Sequence, residues 1–349
     1  MESIAKNVPP ARSRGPSQLF SGKASSDAAR QDLLRRFTPT PHSTDLQLMH
    51  RTVRLETNSE AMLTLAQNFF ERHQHGKSGP PEFLWRIVCE SDPRVQTLDV
   101  QLSAFSDSGL RYVNIGQRGF LAVDTERREA CGFLADPFVD GVREIKNSRP
   151  LDILFCLTAP LLGLTALAGG CVGVKDRGAL VFGIPNSGKT TACYLAAKLG
   201  MEFHADQTVF LDTDRDVLHA WGDLFPAVFR PETLEFLPEL RQSTHRSTRG
   251  ELSFFYLDKA PFQSASALPV TPVCSFFLER GVTGKPHLKE IRPEDAVSRL
   301  RGCLLFREDE KFDTQVAAAL NALASRPIYN LQYGNDPKTA TSIIEKMLR

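Results

Sequence analysis

The sequence predicts an α/β fold in two parts, a larger C-terminal core built on a Gly-rich strand-to-helix turn and a smaller α+β domain before it. Three observations predict it. The apolar run Ala179, Leu180, Val181, Phe182 reads as a buried parallel strand, because a strand covered on both faces shows no polar alternation. It feeds directly into Gly183, Ile184, Pro185, Asn186, Ser187, Gly188, Lys189 and Thr190, which fit the spacing G-x-x-x-x-G-K-[ST]. Residues 191–199 have helical composition, and Gly200 sits where a C-terminal glycine stop belongs.

Strand, turn and helix in this order are the context in which the motif forms a phosphate-binding loop; an ordinary Gly-containing β–α turn is the alternative. The glycines let backbone N–H groups face a phosphate. Lys189 would reach the β and γ oxygens, Thr190 would hold Mg²⁺, and the helix N-terminus adds its dipole. Residues 183–191, Thr191 included, are thus the expected nucleotide contacts, with ATP and Mg²⁺ the expected cofactors.

At 349 residues the chain has room for about two domains. A hydrophobic share of 42% with 24% charged residues describes a globular protein and excludes wholesale disorder. The net charge is +1, from 42 Lys and Arg against 41 Asp and Glu, so no global field draws the chain to nucleic acid or an anionic membrane. The 23 Phe against 5 Tyr and 2 Trp suggest well-filled cores. Seven cysteines at 89, 131, 156, 171, 193, 274 and 303 include no C-x-x-C pair and no His at ligand spacing. Buried free thiols in a reducing compartment, hence the cytoplasm, is the reading, with no zinc site. Residues 1–45 read as a loose Pro- and Ser-bearing leader, faintly like a transit peptide but carrying Glu2, Asp27 and Asp32. Residues 153–174 carry no charged side chain and are long enough to span a bilayer. Pro160, Gly163, Gly169, Gly170 and Gly173 favour a buried helix followed by a core strand at 171–174 instead.

In the small domain, expected over 46–147, residues 52–56 read as a strand. Asn58 or Ser59 then caps an amphipathic helix with Met62, Leu63, Leu65, Ala66, Phe69 and Phe70 at helical spacing. Gly79, Pro80 and Pro81 break it, and β-type runs follow at 83–89, 110–115, 120–123 and 130–134. In the core, expected over 148–349, strands are predicted at 201–204, 208–211 and 217–221, the last two as a hairpin. A polar, basic stretch at 230–250 comes next, then strands at 253–257, 273–278 and 287–291. A helix begins at Pro293, with Glu294 and Asp295 against its dipole. A helix at 314–324, a strand at 328–333 and a helix at 338–348 complete the chain.

A phosphoryl-transfer site needs a carboxylate for its metal, and a kinase needs one to receive the acceptor's proton. Asp206, flanked by apolar residues just after the loop helix, is the candidate for both. Asp212 closes the run Val209, Phe210, Leu211 and approximates a second metal-carboxylate pattern, but Asp-Thr-Asp-Arg-Asp also reads as a hairpin turn. His204 reads as a phosphate ligand or as a hydrogen-bonded core residue. Arg230, Arg241, His245, Arg246 and Arg249 form either a clamp for a phosphorylated or acidic substrate or a solvated loop.

Together these pieces resemble the HPr kinase/phosphorylase-like group, whose P-loop core is shared with phosphoenolpyruvate carboxykinases. The likeness rests on the loop and its helix, on Gly200 to Asp206 as G-x-x-x-x-A-D, and on Phe255-Tyr-Leu-Asp258, Phe276-Phe-Leu-Glu-Arg280 and Arg292-Pro-Glu-Asp-Ala296. The closing Pro327-Ile-Tyr-Asn-Leu-Gln-Tyr-Gly334 completes it, so that it covers about residues 150–349. It implies a nucleotide-binding core of that type and an ATP-dependent phosphotransferase acting on a protein or small-molecule hydroxyl, with Asp206 and Lys189 in catalytic roles. Two departures stand out. The family usually has consecutive Asp residues where this chain has Asp206 and Gln207, and a His in the strand before the loop at the position matched to Ala168. The glycine-rich signature of true HPr kinases has no counterpart between the hairpin and Ser253. The departures weaken what the resemblance implies for HPr as acceptor, for phosphorolysis, and for metal and proton handling. A catalytically weak nucleotide-binding regulator and a simple ATPase therefore stand beside the kinase. The expected partners are a nucleoside triphosphate and an unidentified phosphoryl acceptor, with self-association into a homo-oligomer left open and neither nucleic acid nor membrane among them.

Overall fold

The computed structural model describes residues 38–71, 79–90, 103–107, 109–115, 119–135, 149–213, 217–223, 227–243, 245–249, 252–257, 268–281, 285–305 and 312–349. It is a mixed α/β fold with four sheets. Seven strands form the first: β1 (His42–Leu48), β2 (Arg51–Thr57), β3 (Phe83–Glu90), β4 (Ser103–Asp107), β5 (Leu110–Asn114), β6 (Gly119–Asp124) and β7 (Glu129–Ala135). Their order is β1-β2-β3-β7-β6-β5-β4, with β3 parallel to both β2 and β7 and every other pair antiparallel. The crossover from β2 to β3 carries helix α1 (Glu60–Phe70). The Ser59 hydroxyl caps it by accepting from the Met62 N–H at 3.2 Å. Met62, Ala66 and Phe70, four residues apart, form its buried stripe.

Helix α2 (Arg149–Thr158) and a 3₁₀ turn (Ala159–Leu162) lead to β8 (Leu164–Ala168), β9 (Gly170–Val174) and β10 (Arg177–Phe182). Gly163, at φ +80°, ends the turn, so the uncharged stretch 153–174 is cut into four short elements. No helix among the described residues is long and apolar enough to cross a membrane. After β10 come α3 (Lys189–Lys198), β11 (Glu202–Ala205), β12 (Thr208–Asp212), β13 (His219–Gly222) and β14 (Ala227–Phe229). The stretch 230–250 contains two single-turn helices, α4 (Thr233–Phe236) and α5 (Leu240–Ser243), and β15 (His245–Arg249). The chain closes with β16 (Leu252–Leu257), β17 (Thr271–Arg280), β18 (His287–Glu290), α6 (Pro293–Arg301), α7 (Asp313–Ala324), β19 (Ile328–Tyr333) and α8 (Pro337–Leu348).

The central sheet runs β11-β9-β10-β17-β19-β18, with β10, β17 and β19 mutually parallel. Alternation along β10 explains its unbroken apolarity. Ala179 and Val181 enter a core with α3 and α8, while Leu180 and Phe182 enter the opposite core with α6 and α7. Sheets β13-β12-β8 and β14-β16-β15 are both antiparallel and flank this layer. A third core lies under the seven-stranded sheet. It joins Trp85 and Phe70 to Phe155 of α2 and to Phe210 and Trp221 of the β12–β13 hairpin.

Most of the longer elements match the sequence expectation, β19 among them over residues 328–333, with the seven-residue β1 an exception. Strands β1, β4, β8, β14 and β15 were not anticipated. β1 starts at His42, inside the stretch expected to be a leader; residues 1–37 of that stretch lie outside the described residues. The expected domain boundary near 147 also falls outside them. We take the two parts to be one cooperative unit, because Phe210 packs on Phe155 at a centroid distance of 4.8 Å inside the shared core. Phe210→Ala is expected to lower stability by about 3–5 kcal/mol in urea unfolding. Circular dichroism and tryptophan fluorescence should still give one common midpoint. Separate midpoints would show that the N-terminal sheet unfolds alone.

Candidate functional site

The parallel strands β10, β17 and β19 end on one edge of the sheet, and open α/β sheets present their crevices beyond that edge. A cleft of about 690 Å³ opens there, within the range of small-molecule sites. One wall is the turn between β10 and α3. Gly183 and Gly188 take φ of +147° and +90°, and Asn186, at +68°, is the non-glycine residue in the turn with positive φ. A side chain at Gly188 would place its Cβ 2.1 Å from the Tyr333 hydroxyl oxygen. That hydroxyl donates to the Ser187 carbonyl at 2.7 Å, and Tyr333 is buried at the end of β19. Burial raises the Tyr333 pKa, keeping the phenol protonated as a donor. Gly188 offers α3 no side-chain cap, and the first-turn residues Lys189, Thr190 and Thr191 line the cleft.

Lys189, the first residue of α3, folds back over the turn. Its Nζ donates to the Gly183 carbonyl at 2.8 Å and the Ile184 carbonyl at 3.0 Å. Burial lowers its pKa, with Asp206 among the groups that oppose the shift. The side chain is half-buried. Thr190 donates its hydroxyl to Asp206 Oδ2 at 3.0 Å. The same oxygen accepts from the Val228 N–H at 3.3 Å. Asp206 is only 2% exposed, in the bend between β11 and β12. That bend is held by a residue the sequence did not single out. Asp223, also buried, accepts at Oδ2 from the Gln207 N–H at 3.2 Å and the Thr208 N–H at 2.7 Å.

The structure brings Pro185, Asn186, Gly188, Lys189, Thr190, Thr191 and Asp206 together on the cleft, with Gln207 and Ala168 beside them. Gly183, Ile184 and Ser187 are not among the lining residues, and Ile184 is 76% exposed. Ser187 is buried. Asp212 is elsewhere. It ends β12 in the antiparallel flanking sheet and lies 3.8 Å from the Arg51 guanidinium of the N-terminal sheet. His204 is a buried residue of β11 with Glu202 3.3 Å away, which is the core reading. Arg241 and Arg246 are exposed and do not line the cleft, whereas Arg230 does; the side chains of His245 and Arg249 lie outside the described residues.

The cleft is also lined by Val228, Phe229, Arg230, Glu232, Thr233 and Phe236 and by Arg280 at the end of β17; of these the sequence singled out Arg230 as a possible clamp but did not place Arg280 at the site. The Arg280 guanidinium stands over the Phe236 ring at 5.8 Å. Strand order was the available signal, since a residue ending a strand parallel to β10 must reach the same edge.

Gly188→Ala is expected to disrupt the turn, because the substitution meets both a positive φ and the Tyr333 hydroxyl. Tyr333→Phe keeps the ring and removes only its hydrogen bond, so it should cost about 1 kcal/mol by chemical unfolding. Gly188→Ala should cost more, about 1–3 kcal/mol. No loss in Tyr333→Phe would mean that Tyr333 does not hold the turn through its hydroxyl.

No family model matches this sequence, and no curated protein matches it. Among solved structures, the Hpr(Ser) kinase/phosphatase from Coxiella burnetii is similar over 53% of this chain and 93% of that chain, at 10% identity and a TM-score of 0.29. The chain thus has a weak structural neighbour, and what the cleft can do rests on its own residues.

Proposed function

We propose that the cleft binds Mg-ATP and that the protein is an ATP-dependent phosphotransferase of the HPr serine kinase kind, acting on a hydroxyl. The observation that carries the reading is the convergence of Lys189, Thr190 and Asp206 at a glycine-hinged turn heading α3. The N–H groups of the first turn suit the β-phosphate oxygens. Lys189 would leave the Gly183 and Ile184 carbonyls for the β and γ oxygens, exchanging two neutral acceptors for charged ones.

Thr190 Oγ1 and Asp206 Oδ2 are two hard oxygens 3.0 Å apart beside the turn, a set that suits Mg²⁺ completing its shell with water and phosphate oxygens. Among the described residues no group of three His, Cys, Asp or Glu forms an all-protein cage, and a nucleotide-bound Mg²⁺ needs none. When bound there, Mg²⁺ would neutralise charge on the β and γ phosphates. In transfer, the acceptor oxygen attacks the γ-phosphorus, the bond from that phosphorus to the β-bridging oxygen breaks, and the acceptor proton passes to the Asp206 carboxylate. ADP leaves.

One observation favours a second reading, a catalytically weak nucleotide-binding regulator. Gln207 lines the cleft beside Asp206, and Ala168 faces it from β8, so the bend offers one carboxylate and no imidazole.

Incubation of the purified protein with γ-labelled ATP and cell lysate decides between them by where the label goes: to a protein or small molecule for a kinase, to phosphate for an ATPase. Lys189→Ala should weaken ATP binding by about 10- to 100-fold in calorimetry, the loss of charge-assisted hydrogen bonds, with the fold retained. Unchanged affinity would end the nucleotide reading. Asp206→Asn should lower transfer by at least about 10²-fold while moving Mg-ATP affinity far less, because a proton acceptor acts mainly in the transition state. Wild-type label release no greater than that of Lys189→Ala would leave the regulator, and Gln207→Asp would then be the variant in which activity should rise.

A further inference from the structure

We propose that Arg230 and Arg280 form a second anion seat in this cleft, and that the phosphoryl acceptor carries its hydroxyl beside a carboxylate or phosphate group. The inference rests on the reading above and names the substrate class of the same site.

The cleft is lined by Lys189, Thr190 and Asp206 and also by Arg230, Glu232, Phe236 and Arg280. Three cationic side chains thus meet two carboxylates, and one of those, Asp206, already accepts from Thr190. Among the described residues neither Arg230 nor Arg280 has a carboxylate within ion-pair distance. The contrast with Arg54 and Arg292 is direct, since both are surface arginines held by Asp45 and Asp295 at 2.8 and 2.9 Å.

Phe236 gives the second observation. It is a large apolar side chain left 55% exposed, and it lines the cleft beneath the Arg280 guanidinium. A guanidinium over an aromatic face is held in its plane without spending its N–H donors, which stay available at the edge for a planar or tetrahedral oxyanion. Arg280 is further fixed by position, because it is the last residue of β17 and pairs in register with Tyr333, the residue that holds the turn. The arrangement therefore sets a forked donor at a defined place on the cleft beside the nucleotide loop. A neutral acceptor would leave both arginines without a counter-charge in the assembled complex, whereas an oxyanion uses them and is oriented with its hydroxyl toward the loop.

The test uses the full chain and two probes, inorganic phosphate and malonate, titrated calorimetrically into wild type, Lys189→Ala, Arg230→Ala, Arg280→Ala, Arg280→Lys and the Arg230→Ala/Arg280→Ala pair. The same proteins are titrated with Mg²⁺ and a non-hydrolysable ATP analogue. At least one probe should bind wild-type protein saturated with the analogue, and its affinity should fall about tenfold or more in each Arg→Ala variant. Arg280→Lys should recover part of the loss, as a point charge replaces a fork. The tighter probe tells whether the acceptor's anion is a phosphate or a carboxylate. If the analogue fails to bind, the nucleotide reading fails, and the seat is then judged on the unsaturated protein. A seat formed by the arginines is lost with them and kept in Lys189→Ala. Probe binding that survives in the double variant, or that vanishes only with Lys189, overturns the proposal. Loss of analogue affinity in the arginine variants without loss of probe binding overturns it too, by assigning the arginines to the nucleotide.

Discussion

β10 is buried on both faces, and that burial organises the polar chemistry of the molecule. A strand whose side chains enter apolar cores alternately above and below can place no functional group along its length. Functional groups must gather where the chain leaves the sheet. At that exit the backbone turns within six residues from a strand to a helix that packs back on the same sheet, so residues at both ends of the turn need positive φ. The glycines at 183 and 188 are consequences of that geometry. The close approach of Tyr333 is a second consequence, because only a position without a Cβ admits the hydroxyl that then holds the Ser187 carbonyl.

The turn was legible in the sequence because its determinants are contiguous. Strand, glycine spacing, lysine, hydroxyl and helix all fall within residues 177–198, and each has a local signature. Asp206 was legible for a related reason, as a carboxylate inside an apolar context close to the loop helix. The place of Arg280 was not legible. Arg280 lies far along the chain from the turn, and only the parallel pairing of β10 with β17 brings it to the cleft. Arg230 was seen, but within a basic stretch whose other members point elsewhere or carry side chains outside the described residues. Composition cannot tell an arginine on a cleft from one on a solvated loop.

Asp212 shows the same limit from the other side. An apolar run closed by an aspartate reads alike whether the strand belongs to the central parallel sheet or to an antiparallel neighbour. β12 belongs to the neighbour, and its end meets Arg51 of the N-terminal sheet. The pairing explains why Asp212 is buried without serving the cleft: its charge is balanced across the two halves of the molecule, beside the core that Phe210 and Phe155 share. In β8 and β9 the difficulty was of another kind. Their run is apolar throughout, and the change of sheet at Gly169, whose N–H donates to the Gln207 carbonyl at 3.0 Å, leaves no polar mark in the sequence.

The bend at Asp206 and Gln207 ties these observations to chemistry. Its backbone is fixed from three directions, by Asp223 on the Gln207 and Thr208 N–H groups, by the Gln207 carbonyl on Gly169, and by Asp206 itself on Thr190 and Val228. A carboxylate held so firmly, and only 2% exposed, has lost much of its water. Its charge is then compensated by dipoles and by nearby cations, of which Lys189 is one. Lys189 in turn rests on two carbonyls of its own turn, a weaker set of acceptors than phosphate oxygens would be. Lys189 is therefore held by two neutral acceptors that phosphate oxygens could better. Were a nucleotide to bind as proposed, the acceptors Lys189 would gain are stronger than the carbonyls it would give up.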